Sequence, residues 1–566
     1  VTPIDLLARD DRSGYGVAAA LDMAGVVYRR ITRVDDVDGR VLVVAGRTTP
    51  AIAALASHLP TVAFGAAPAG DRQVVEGPLS VALSASLWPE AVVACARRFG
   101  KDALRLPWIP LVVPERRLFV DTIEARAIDA HERTQPLVVR TGAAWWCLGD
   151  LGAAFASLLD ESYRGAEKPP RGTRSFGAVH RLYYRLPEPF RRALQRTTYA
   201  RLERALRHDP RASDYPIDAT GWLLAELVAA LVTRAAGPLL RVARWPAPYT
   251  AAAALTHDVE PTRFAYRRGL AALGARVAAN GHPATIGLVA GAAKRHLRIA
   301  DADWLRRADV LCHGLEHLGE TLRGSRTDVA ARLAAARAEL ARLLGRPPVG
   351  FRSPRLDRSR ALLWAIDRAG FTYDSSYPDV DRETTSRFGA GVRVNVPFRP
   401  PVVTLGGRVR PSRFLELPIA APDCIQPLFA GDDVRALRDA VAAKIDYVCA
   451  TGGLYVGIVH GGVFGPADAA RRGEHLDFVA GRLRRPDVWL ASAREIACWW
   501  RARATLRFRL LDDGVEVTNG GTETIGGVRL LAGADARSVE LPPLAPGARA
   551  HVALTAHDPR EARREA

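Results

Sequence analysis

The 566 residues are too many for one ordinary hydrophobic core and imply two to four domains. With 48% hydrophobic and 25% charged residues, the composition is that of a folded, water-facing chain rather than a disordered one. The formal net charge of +18 raises the question of a polyanionic partner. The arginines are scattered among acids, however, with no basic arm or aromatic-interleaved stripe, so no nucleic-acid partner is expected.

The N-terminus, Val1 to Asp10, lacks a basic segment followed by an apolar run, so no signal peptide is read in the chain as given and a cytoplasmic location is expected. Up to about residue 160, short apolar strands alternate with helical stretches. Gly16 to Gly25 reads as a helix, Val26 to Ile31 and Val41 to Ala45 as strands, Pro50 to Leu59 as a helix and Thr61 to Phe64 as a strand. A β-rich section follows over Ala91 to Arg97, Ile109 to Val113 and Arg117 to Val120, before Leu137 to Arg140 leads into Trp145-Trp146-Cys147-Leu148-Gly149. The order resembles flavodoxin-like domains of the glutamine-amidotransferase type, which place a nucleophilic cysteine on a glycine-flanked elbow. Cys95, in Val-Val-Ala-Cys-Ala, has no such elbow, so a non-catalytic α/β domain is expected over residues 1–160. Cys95, Cys147, Cys312, Cys424, Cys449 and Cys498 are dispersed and form no C-x-x-C pair, as buried thiols of a reducing compartment would be.

Residues 161–245 carry helical periodicity in Phe190 to Arg207 and Trp222 to Val242, and read as a helical connector packing on the next domain. Glu226, Arg234 and Arg241 interrupt the second stretch, the most apolar window of the chain, which argues against a membrane span. From 246 to 503 the pattern becomes strand, loop, helix. Strands are expected at Ala251 to Thr256, Ala284 to Val289, Val310 to Cys312, Gly350 to Arg352, Phe371 to Tyr373, Leu454 to Val459 and Val488 to Leu490. Helices are expected between them, one capped by Thr327 and running to Leu344, another closed by Gly370, and a last one from Ser492 to Arg503. Such a run implies a (β/α) barrel. Over 504–556 the period returns to two, with turns at Asp512-Asp513-Gly514, Asn519-Gly520-Gly521 and Gly526-Gly527, as in a small antiparallel β-sandwich. The charged tail, 557–566, reads as disordered.

In a parallel barrel, chemistry collects at the C-terminal strand ends. Asp258, Glu260, His313, Arg352, Asp374 and His460 each end or follow one of the expected strands. His313 and His317 are four apart, so on a helical turn both imidazoles project to one side and can bind one metal. Asp258 and Glu260 flank Val259 and lie on one side of an extended segment, so one can ligate while the other acts as a base. Two histidines and one carboxylate leave open positions for water and substrate; zinc suits the set, with Co, Mn, Ni or Fe as alternatives. Arg352 can hold a carboxylate ionised and oriented. His460, followed by Gly461-Gly462, can protonate a leaving group.

With these residues assembled, the stretch from about 249 to 503 resembles the polysaccharide deacetylase (NodB-homology) family. The five motifs, in order, are Thr256-His257-Asp258-Val259-Glu260, His313-Gly314-Leu315-Glu316-His317, Phe351-Arg352-Ser353-Pro354, Tyr373-Asp374-Ser375-Ser376-Tyr377 and Ile458-Val459-His460. The resemblance implies a distorted barrel of about seven strands and a metal-dependent hydrolase that removes N-acetyl or other acyl groups from a glycan or glycan precursor, using metal-bound water. It makes His313 and His317 metal ligands, Asp258 the base, Arg352 its orienting partner, Asp374 the residue that positions His460, and His460 the acid. The family's commonest first motif is Thr-Phe-Asp-Asp-Gly; here Val259 and Glu260 replace its last two residues, as in Asp-x-Glu variants, which assigns Glu260 to the metal, although either carboxylate satisfies the stereochemistry. Gly314 replaces a usual Ser or Thr, and Tyr377 stands near the place of a pocket-lining Trp. A non-catalytic glycan-binding or assembly protein that keeps the barrel is the alternative.

Overall fold

The computed structural model describes residues 3–46, 48–68, 72–114, 120–165, 214–317, 319, 321, 324–380, 391–404, 406–421, 434–462, 465–532 and 537–553, with isolated positions between 186 and 197. Most of the expected helix over Phe190 to Arg207, all but the last residue of the strand over Arg117 to Val120, and the tail from His557 lie outside the described residues.

The first nine strands build one sheet. They are β1 (Ile4–Leu7), β2 (Arg29–Ile31), β3 (Val41–Ala45), β4 (Thr61–Phe64), β5 (Arg72–Ala82), β6 (Ala103–Pro114), β7 (Thr122–Asp129), β8 (Thr134–Thr141) and β9 (Ala144–Cys147). Their order is β2-β1-β3-β4-β9-β8-β7-β5-β6. The first five run parallel in the doubly wound order of a flavodoxin-like sheet, and the remaining four extend it antiparallel. β1, β3 and β4 are buried along their whole length and apolar except for Asp5, which pairs with Arg29, and Thr61, as strands covered on both faces tend to be. Helices Arg12–Met23 and Leu151–Leu159 cover one side and touch where a Cβ on Gly16 would stand 1.8 Å from the Gly152 carbonyl oxygen, so only glycine permits that approach.

Two expectations change here. Ala91 to Arg97 is not a strand but most of the helix Glu90–Arg98, because a short apolar run carries no period that separates the two. The helix Thr220–Ala236 packs chiefly on the helices Arg12–Met23 and Leu151–Leu159 of the first sheet, not only on the next domain. It is apolar almost all round and therefore needs cover on every side. Trp88 Nε1 donates to its Leu223 carbonyl at 2.9 Å, and its Gly221 N–H bonds the Arg393 carbonyl of the following barrel at 3.0 Å.

After a two-residue strand β10 (Arg241–Val242), the barrel comprises β11 (Ala251–Val259), β12 (Ala284–Leu288), β13 (Asp309–Cys312), β14 (Gly350–Phe351) and β15 (Tyr373–Asp374). A hairpin of β16 (Pro401–Val403) and β17 (Val409–Pro411) follows, then β18 (Leu415–Glu416), β19 (Ile419–Ala421), β20 (Leu454–Ile458) and β21 (Val488–Leu490). All barrel pairings are parallel. β18 pairs with β15, and two residues later β19 pairs with β20, so one bent segment, 415–421, joins the two edges and completes a circuit of seven strands. β11 is the central brace: one edge carries β20, and the other is shared by β21 beside Ala251–Ala253 and β12 beside Leu255–Val259. The helix before β14 runs Arg326–Leu344 and is capped by Ser325 in a capping box with Asp328, two residues earlier than a Thr327 cap would place it.

The C-terminal strands are β22 (Leu506–Leu510), β23 (Gly514–Asn519), β24 (Arg529–Ala532), β25 (Arg537–Glu540) and β26 (Arg549–Ala553). They form two three-stranded antiparallel sheets, β22-β23-β26 and β10-β24-β25, with Val515, Val517, Leu530 and Leu541 buried. β10 ties the connector to this small β unit. No helix among the described residues is long and apolar enough to cross a membrane.

Candidate active site

Asp258 is the penultimate residue of β11 and Glu260 lies just beyond it; His313 follows β13, Arg352 follows β14, Asp374 ends β15, and His460 lies two residues past β20. All six are buried. Asp258 Oδ1 accepts from Arg352 Nη1 at 3.2 Å, and its Oδ2 stands 3.9 Å from His313 Nε2. Glu260 Oε2 is 3.7 Å from His317 Nε2, and its Oε1 is 3.3 Å from His460 Nε2. The His313 and His317 rings are 5.1 Å apart at 60°. Two carboxylates and three imidazoles thus share one end of the barrel.

The helical turn expected between His313 and His317 is absent. Gly314 (φ 78°) and His317 (φ 59°) adopt left-handed backbone, so the chain folds back on itself and brings the rings together by a tight loop instead. Sequence spacing of four therefore gives the right neighbours by a different route.

Burial draws the His313 pKa down, partly offset by Asp258, so its imidazole is neutral. Its Nδ1–H donates to the Arg352 carbonyl at 3.1 Å, which leaves Nε2 as a lone pair turned toward Asp258. An imidazole lone pair beside two carboxylates suits a cation, and the donor types, imidazole nitrogen and carboxylate oxygen, are those zinc takes. Among the described residues no three such side chains stand close enough together to grip an ion as they are. The 3.7 Å between His317 Nε2 and Glu260 Oε2 exceeds by a few tenths of an ångström the roughly 3.4 Å that a tetrahedral ion with bonds of about 2.1 Å imposes.

Asp258 is fully enclosed. Burial pushes its carboxyl up, but Arg352, His313 and His460 together outweigh this and leave it below its ordinary value, hence ionised. Arg352 is itself fully buried: Nη1 also donates to Thr256 Oγ1 at 2.8 Å, Nε to the Ser375 carbonyl at 2.7 Å and Nη2 to Ser375 Oγ at 2.9 Å. Asp374 accepts from Ser376 Oγ at 2.6 Å and lies against Glu416, the last residue of β18. Tyr377 is buried with Arg358 5.4 Å above its ring.

Thr256, Gly287, Ser375, Ser376 and Glu416 complete this end of the barrel, and sequence reading missed the roles of all five. Gly287 is the β12 partner of Asp258, and a Cβ there would stand 2.3 Å from Asp258 Oδ1. Thr256 and Ser375-Ser376 lay inside the quoted motifs, which was the available signal; Gly287 and Glu416 belong to no motif.

No family model and no curated protein matches the chain. Solved structures do resemble it over less than half its length. One, described as a polysaccharide deacetylase from Mycobacterium smegmatis, is 21% identical, with a TM-score of 0.35 over 47% of this chain and 97% of its own. A family 4 carbohydrate esterase from Streptomyces lividans, in complex with acetate, is 15% identical, with a TM-score of 0.27 over 42% and 91%. The Puue allantoinase is 16% identical, with a TM-score of 0.35 over 46% and 93%. The barrel assignment stands on the strand pairings themselves.

Proposed function

We propose that the chain is a metal-dependent hydrolase that removes N-acetyl or related acyl groups from a glycan or glycan precursor. The observation that carries this reading is the meeting of Asp258, Glu260, His313, His317 and His460 at one barrel end, with Arg352 bonded to Asp258. Glu260, His313 and His317 would hold a divalent metal, zinc by donor type. The pair that Arg352 makes with Asp258 supports Asp258 as the base and leaves Glu260 as the carboxylate ligand. When bound, the metal polarises the acyl carbonyl and acidifies water.

The protein's own groups do the rest. Asp258, ionised and pinned through Oδ1, takes a proton from the attacking water on Oδ2, while Arg352 keeps the carboxylate from rotating. His460 Nε2 delivers a proton to the departing nitrogen, with Glu260 Oε1 beside it to steady the imidazolium. Asp374 acts on the opposite side of Arg352 from Asp258, through Ser375 and Ser376, so its part is positional.

Zinc-loaded protein is expected to release acetate from N-acetylated oligosaccharides, and His313→Ala to abolish both the bound metal, measured by elemental analysis, and the release. Stoichiometric metal with no hydrolysis across a panel of acylated glycans defeats the enzyme reading and leaves a glycan-binding role for the barrel.

A further inference from the structure

Glu416 is 0% exposed, as is Asp374, and the two carboxyl groups are in hydrogen-bond contact across the ends of β18 and β15. Glu416 Oε1 accepts the Ser376 and Tyr377 N–H groups, each at 3.0 Å, and Asp374 Oδ1 accepts Ser376 Oγ. One oxygen of each remains, Asp374 Oδ2 and Glu416 Oε2, and neither meets a donor among the described residues. Two buried acceptors in contact, with no donor for either, are satisfied by one proton held between them; two buried carboxylates in that place would repel.

The pair also sits under the turn that grips Arg352. Ser375 accepts two of the Arg352 donors through its carbonyl and Oγ, and Ser375 Oγ in turn donates to the Leu417 carbonyl at 2.9 Å, next to Glu416. We infer that Glu416 is a positioning residue: it shares one proton with Asp374, and the Ser375–Tyr377 turn held by that pair fixes Arg352 against Asp258. The positioning half rests on the deacylase reading; the shared proton does not. Burial raises both carboxyls, Glu416 furthest. The charged and titratable groups facing the pair are Arg352 and Tyr377, with Glu161 and Arg358 beyond Tyr377.

The sign of the pH effect follows. A carboxyl raised in the folded state holds a proton that the unfolded chain releases near pH 4.3, so stability falls as pH rises from there toward the folded value. Over that window the unfolding equilibrium constant of the wild type is expected to rise by up to about tenfold per pH unit relative to that of E416Q. In E416Q the amide donates to Asp374 Oδ2 and carries no proton to lose. Superimposable pH profiles for the two proteins would overturn the shared proton.

For the positioning role, E416A is expected to exchange its Ser376 and Tyr377 amide hydrogens at least tenfold faster. It should also lose at least tenfold in kcat on an acylated glycan, with KM little changed, while E416Q restores both. Wild-type exchange in E416A, or unchanged kcat at every pH, would overturn positioning. If E416A does not fold, E416Q decides by its own amide exchange, which must stay wild-type. If the wild type hydrolyses nothing, the function proposed above fails, while the stability and exchange measurements still judge Glu416.

Discussion

The molecule contains two sheets with runs of parallel strands, the arrangement whose C-terminal strand ends are where α/β proteins place ligands. In the barrel, the C-terminal strand ends bring together three imidazoles and two carboxylates that face one another. In the first sheet the corresponding edge is polar but closed. Asp150 is bonded to Ser13 and to the Ala153 N–H, Asp11 caps the helix Arg12–Met23, the Asp10 carbonyl accepts Val409 N–H at 3.0 Å, and Tyr15 Oη donates to the Arg399 carbonyl at 2.6 Å. The barrel's β16–β17 region therefore covers the crevice of its neighbour. Cys147, ending β9, is enclosed there, and burial pushes its thiol up to about 12, far from a thiolate. The same topological feature serves chemistry in one sheet and docking in the other.

Three substitutions probe that contrast. Asp258→Asn removes the base while keeping the shape, and is expected to cut kcat by about 10²- to 10⁴-fold with little change in melting temperature, measured on acetate release. Glu161→Ala acts on the docking side. Glu161 receives Arg358 at 2.8 and 3.0 Å and the Gly391 N–H at 3.0 Å, all buried, and its loss takes the carboxylate from the guanidinium that lies over Tyr377. A loss of about 3–5 kcal/mol is expected by denaturant unfolding. Wild-type stability would show that the two sheets are held together elsewhere. Ser13→Ala is expected to cost about 1–3 kcal/mol, the penalty of leaving Asp150 short of a donor, and to leave activity untouched. A fall in kcat there would mean that the first crevice has a share in the chemistry.

The barrel was legible because its strand ends carry residues whose chemistry is visible without coordinates: an aspartate and glutamate two apart, histidines four apart, an arginine before Ser-Pro. The antiparallel extension was read less well. β5 contains Gly77 and Pro78 and β6 contains Pro107, residues that disfavour a strand interior, and only Ile109 to Val113 was expected of them, yet they lie in one long ladder with a register shift between Gly77 and Leu79. Gly287 and Glu416 were illegible for another reason: each matters through a neighbour distant in sequence, Asp258 for one and Asp374 for the other. The left-handed loop at His313–His317 was hidden because spacing reports proximity, not the backbone that achieves it.

β11 gives the site an asymmetry. Both acids come from a nine-residue strand, or from the residue next to it, that is buried throughout and hydrogen-bonded to three others, whereas His313, His317 and His460 arrive on loops. The acids are a fixed jaw and the histidines the adjustable one. Changes of ligand or substrate can be accommodated by resetting the loops around His313, His317 and His460 while the Asp258 carboxylate stays where it is, so the mouth can be retuned without rebuilding the barrel.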